Sequence, residues 1–143
     1  MNIIFLCIIY IIVMTNFKEL GISTLLILLI DSLYLNSISP YFKNMIVKIQ
    51  KSPFQMNILG VFISYLFIVV VINYFIIQKK RSVFEAFLLG LCIYAIYEGT
   101  NYALISNWSL PIVIVDSLWG GILFAVTTYL TYFFALKLNK RSI

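Results

Sequence analysis

Four stretches of this chain, residues 21–39, 56–77, 83–104 and 110–136, run apolar almost without a break, and no other feature limits the possible folds as much. At about 1.5 Å per helical residue, each reaches across the roughly 30 Å hydrocarbon core of a bilayer. A backbone in lipid must satisfy its own N–H and C=O groups, so only helices and closed barrels can cross. Barrel strands alternate apolar and polar residues; these runs do not. The pattern predicts an all-α, polytopic membrane bundle of four core helices. Composition agrees, with 63% hydrophobic and 10% charged residues against about half and a quarter in a soluble domain.

The membrane domain spans residues 21–136, followed by a basic tail at 137–143. Residues 1–20 form an amino-terminal hydrophobic segment at the lower limit of a span, with Lys18-Glu19 near its end. A short fifth span, an interfacial helix or the front of a helix kinked near Gly21 would each fit; a membrane-inserted helix is the reading adopted. The segment has no basic leader and no small-x-small cleavage site, so a removed signal peptide is not expected. Residues 40–53 mix Lys43, Lys48 and Lys51 with Tyr41, Phe42, Met45, Ile46 and Ile49 between Pro40 and Pro53. This predicts an amphipathic helix lying at the interface. Trp108 is expected at headgroup level, with Pro111 opening the last helix.

The net charge of +5 sits in loops, where it reports topology and headgroup contact. No basic stripe on a soluble element offers a nucleic-acid face. Lys18, Lys79, Lys80, Arg81, Lys137, Lys140 and Arg141 share one side of a four-span topology, against Lys43, Lys48 and Lys51 on the other. The richer side, carrying the carboxyl terminus, is predicted to be cytoplasmic. Cys7 and Cys92, far apart in apolar runs, are expected to be small buried residues rather than a disulfide. The absence of histidine removes most zinc sites and every His-dependent triad.

Three of the five acidic residues, Asp31, Glu98 and Asp116, fall inside spans that hold no Lys or Arg. An acid at a helix centre costs about 2.5–3.5 kcal/mol on insertion scales and calls for a reason. Asp31 lies eight residues before Ser39, Glu98 six before Leu104, and Asp116 six after Leu110. At about 1.5 Å per residue all three lie roughly 9–12 Å inside the same boundary. Their surroundings are polar: Tyr97-Glu98-Gly99-Thr100-Asn101 puts Glu98 and Asn101 on one helical face near Tyr94. Ile30-Asp31-Ser32-Leu33-Tyr34 and Val115-Asp116-Ser117-Leu118-Trp119 repeat an Asp-Ser-Leu-aromatic turn. These turns are expected to face each other and Glu98, with Gly99, Gly120 and Gly121 allowing close helix approach. The repeat fits either an inverted duplication or a chance match. Asp31, Tyr34, Tyr94, Tyr97, Glu98, Thr100, Asn101, Asp116 and Trp119 are therefore the candidate ligand- or ion-binding residues.

The same residues carry a family resemblance. Leu89-Gly90-x-x-x-Tyr94-x-x-Tyr97-Glu98-x-Thr100-Asn101, then Trp108, then Val115-Asp116-x-x-Trp119-Gly120, resembles the small integral membrane proteins grouped as domain of unknown function 2177. Asp31-x-x-Tyr34-Leu35 fits that family's first helix, and so does the Tyr41-Phe42 stretch after it. The resemblance covers residues 21–132 and looks most like the versions carried by large DNA viruses. It departs at Glu98, where the family usually shows aspartate, and at Tyr34, where it often shows tryptophan. It implies a four-helix membrane fold and no established activity.

The acids admit two readings. They either glue the helices together through hydrogen bonds, or line an acidic intramembrane pocket that binds or conducts a cation or proton. The latter leads, and four helices are few for a complete pathway, so it implies a homo-oligomer. The alternative is a structural or lipid-interacting protein without transport. A lipid enzyme comes third, since no nucleophile–base pairing or phosphate-cradling glycine loop is visible. No cofactor is expected; the expected partners are membrane lipids and a cation or proton, without nucleic acid.

Overall fold

A computed structural model describes residues 16–139, with side chains described as far as Lys137. Four helices follow in order: α1 (Phe17–Gln50), α2 (Ile58–Ile72, continued by a π-helical turn at Asn73–Ile77), α3 (Val83–Leu104) and α4 (Leu110–Asn139). All four are long and apolar enough to cross a membrane. Large apolar side chains such as Leu33, Phe62, Ile96 and Leu104 are exposed on the outside of the bundle, as a surface facing acyl chains requires.

The helix starts follow from short polar residues. The Asn16 side chain accepts from the Lys18 N–H at 3.2 Å, and that of Asn57 from the Gly60 N–H at 3.2 Å. Ser82 and Glu85 form a reciprocal capping box, with the Glu85 N–H donating to Ser82 Oγ and the Ser82 N–H to Glu85 Oε2. Each arrangement satisfies donors that the first helical turn leaves open.

α1 differs from expectation. The first span does not end before Pro40; the helix runs unbroken for 34 residues through that proline to Gln50. Proline inside a helix costs about 3 kcal/mol, and packing offsets it. Beyond Pro40, Phe42, Met45, Ile46 and Ile49 cover Trp108 and Ile112 at the α3–α4 turn, with Met45, Trp108 and Ile112 buried. The expected amino-terminal segment lies outside the described residues up to residue 15, and Phe17 to Leu20 belong to the first turn of α1. Residues 140–143 of the basic tail also lie outside.

α1 and α4 run antiparallel in one register. Asp31 meets Trp119, Tyr34 meets Asp116, and Tyr41 hydrogen-bonds Ser109 at 3.0 Å. α3 and α4 approach closest. A Cβ at Gly90 would collide with the Gly120 carbonyl and lie 2.8 Å from the Phe124 ring, and one at Gly121 would lie 2.7 Å from the Phe87 ring. Gly99 has open space around it, so the expected close approach falls at Gly90 rather than there. Cys92 is exposed, not buried as expected; two residues after Gly90, it turns away from α4 while Gly90 faces it.

The core is stratified. Ile27, Ile72, Ile76, Ile77, Ala86, Leu123 and Phe124 form a buried apolar cluster. One turn along α1 from Ile27, towards its amino terminus, Ser23 and Asn73 exchange hydrogen bonds of 3.0–3.1 Å, and the Asn73 amide also donates to Val69 O. One turn further, Glu19 pairs with Lys80, whose ammonium lies 5.5 Å from the Tyr132 ring. On the other side of Ile27 lie the carboxylates.

Candidate functional site

Asp31 points inward from α1 and is 5% exposed. Its Oδ1 accepts from the Trp119 indole N–H at 2.8 Å, and its Oδ2 from the Tyr65 phenol at 2.6 Å. One turn further along α1, Tyr34 donates to Asp116 on α4. The two repeated Asp-Ser-Leu-aromatic turns are thus cross-paired, each aspartate accepting from the aromatic residue of the other. Between them Tyr34 and Trp119 stack with centroids 4.2 Å apart and planes 10° from parallel. An antiparallel helix pair allows this reciprocity, since residues three apart on one face meet residues three apart on the other.

Glu98 is built differently. It is 1% exposed on α3, and its Oε2 accepts from the Trp108 indole at 2.8 Å. Trp108 comes from the α3–α4 turn, where Asn107 takes a left-handed conformation (φ 65°), and its ring meets Phe42 of α1 edge-on at 5.9 Å. Among the described residues Glu98 Oε1 has no hydrogen-bond partner, and neither has Asn101 Nδ2, although both atoms are buried. Among the described residues no three His, Cys, Asp or Glu side chains converge to hold a metal ion.

Of the residues expected at the site, Asp31, Tyr34, Asp116 and Trp119 share the cross-pair, and Glu98 and Asn101 share the α3 notch. Tyr94 is half-buried with its ring against Gly120, a packing position between α3 and α4. Tyr97 is 60% exposed, and Thr100, also exposed, turns its hydroxyl back to Ile96 O at 2.7 Å; neither joins the layer.

Two members escaped the sequence reading. Trp108, expected at headgroup level, is 7% exposed and donates to Glu98, a contact the sequence did not signal. Tyr65 was signalled by depth alone: it lies nine residues beyond Met56, close to the eight that separate Asp31 from Ser39.

The chain matches the family model described as "Predicted membrane protein (DUF2177)" over residues 16–133. It belongs to this family. The match takes in both Asp-Ser-Leu-aromatic turns, Tyr65 and the Glu98 notch. No curated protein and no solved structure matches the chain.

Proposed function

We propose that this integral membrane protein binds a proton within its acidic layer, and that Glu98 is the group that takes it up. One observation carries the reading: Glu98 is buried, and among the described residues its only hydrogen-bond donor is a neutral indole and no Lys or Arg forms an ion pair with it. Neutralising such a carboxylate by proton uptake is far cheaper than carrying its charge in an apolar interior. Glu98 lies on the side of the bundle that carries the α3–α4 turn, whose Trp108 it binds. The basic-residue balance assigns that turn to the non-cytoplasmic side, with the α2–α3 turn and the carboxyl terminus in the cytoplasm. Ile27, Ile72, Leu123 and Phe124 separate the acids from the Ser23–Asn73 pair, so binding from one side fits this arrangement better than conduction through it.

A second reading, a purely structural protein, draws on the cross-pair, where both aspartates are engaged by partners from the opposite helix. Tryptophan separates the two readings. The chain has two tryptophans, and one donates to Glu98 while the other donates to Asp31. In full-length protein reconstituted in bilayers, the Trp108 indole resonance should move with pH along a single titration curve that Glu98→Gln abolishes. A pH-independent Trp108 resonance in folded protein leaves the structural reading standing. In proteoliposomes under a pH gradient the expected result is proton uptake without sustained flux. Sustained flux that Asp31→Asn, Glu98→Gln or Asp116→Asn abolishes would replace binding by conduction.

A further inference from the structure

Glu98 Oε1 and Asn101 Nδ2 form an unmatched pair of buried polar atoms one helical turn apart on α3, with Cβ atoms about 5–6 Å apart at that spacing. Leaving a buried donor or acceptor without a partner costs about 1–3 kcal/mol, so a ligand that satisfies both at once is favoured. The two atoms differ in what they ask of it. Oε1 of an ionised Glu98 is an acceptor, whereas Asn101 Nδ2 carries hydrogens and is only a donor.

That asymmetry selects the chemistry of the ligand. A metal or ammonium cation would suit Oε1 but has no lone pair to offer Asn101, whose N–H groups would face the cation with their positive ends. A hydroxyl suits both, its O–H donating to Oε1 while its oxygen accepts from Nδ2. It also tolerates protonation of Glu98: the same oxygen then accepts from the new carboxyl O–H and from Nδ2, and its own hydrogen turns elsewhere.

Position agrees with chemistry. Asn101 lies between Glu98 and the end of α3 at Leu104. Trp108 takes the opposite oxygen of Glu98 and Phe42 backs Trp108, which leaves Oε1 as the oxygen with hydrogen-bonding capacity to spare.

We propose that Glu98 and Asn101 form a binding site for one neutral hydroxyl group, supplied by a water molecule or by a lipid alcohol. The site deepens the proton-binding reading of Glu98, since a hydroxyl held there hydrogen-bonds the carboxyl in either protonation state.

The test uses the full chain in two bilayers: phosphatidylcholine alone, which has no free lipid hydroxyl, and phosphatidylcholine with added diacylglycerol. Magnetisation transfer from water to the Asn101 side-chain amide and to the Trp108 indole is measured in both. Transfer that persists in both bilayers assigns the site to water. Transfer that falls as diacylglycerol is added, with a saturable shift of the Trp108 indole, assigns it to the lipid alcohol. Asn101→Leu should abolish either signal and leave the Trp119 resonance unmoved, which shows that the bundle is intact. No transfer and no effect of diacylglycerol, in protein with two dispersed indole resonances, would overturn the proposal. So would a saturable Trp108 shift on adding sodium or potassium ions, which marks a cation site. The two proposals fail separately. A Trp108 resonance that titrates with pH without any hydroxyl contact keeps Glu98 as proton binder and sinks the hydroxyl site; a contact without titration does the reverse.

Discussion

The molecule makes the same bond twice, and the two copies sit in opposite circumstances. Trp119 donates to Asp31 at 2.8 Å across α1 and α4, and Trp108 donates to Glu98 at 2.8 Å across the α3–α4 turn. Around Asp31 the other oxygen is taken by Tyr65, and a reciprocal Tyr34–Asp116 bond and a stacked ring pair lock the turn alongside it. Around Glu98 the other oxygen has nothing. Burial is alike, 5% exposure against 1%. An intramembrane carboxylate is therefore not marked as functional by depth; what distinguishes the two is whether its hydrogen-bonding capacity has been used up. The cross-pair behaves as a latch between two helices, and the α3 notch retains capacity for something else.

The largest predicted effect breaks the latch. Asp31→Ala strands both the Trp119 indole and the Tyr65 phenol, and leaving a buried donor without a partner costs about 1–3 kcal/mol. Losing two should destabilise the bundle by roughly 3–5 kcal/mol in a denaturant titration of reconstituted protein. A loss below about 1 kcal/mol would show that the cross-pair is incidental. Coupling should be next in size. In a double-mutant cycle, Asp31→Ala and Trp119→Phe should interact by about 1–2 kcal/mol, because they remove the same bond and both disturb the Tyr34 stack. The matching cycle of Glu98→Gln with Trp108→Phe should give less than about 1 kcal/mol, since no second donor depends on that carboxylate.

These contrasts also show how much the sequence carried. Four spans were legible because lipid admits so few backbone solutions, and run length alone excluded the others. The polar layer was legible because helical rise converts residue offsets into depth; Asp31, Glu98 and Asp116 fell out together, and Tyr65 would have joined them had the same ruler been applied to the second span. What stayed hidden depends on rotation about helix axes and on long-range packing. Nothing local distinguishes Gly90, wedged against Gly120, from Gly99, which faces open space. Pro40 marks a break by every local rule, and only Met45, Ile46 and Ile49 finding Trp108 and Ile112 keeps the helix going. Trp108 reads as a headgroup anchor by composition, and nothing local shows that its indole binds a glutamate ten residues away.

The smallest effect is the most telling about the notch. Removing a satisfied buried acid destabilises, but removing one that carries an unmatched oxygen relieves a penalty as well as losing a bond. Glu98→Gln keeps the shape and an oxygen for Trp108, and supplies an amide N–H of its own. Its effect on stability should lie within about 0.5 kcal/mol of zero, in either direction, in the titration that registers Asp31→Ala as severe. Tyr97→Phe and Thr100→Val, at exposed positions on the same helix, should be equally small and leave both indole resonances in place. The informative comparison is then between Glu98→Gln and these two. All three preserve stability, and only Glu98→Gln should abolish the pH response of Trp108. If the exposed-site variants abolish it too, the response belongs to α3 as a whole and the division between latch and notch falls.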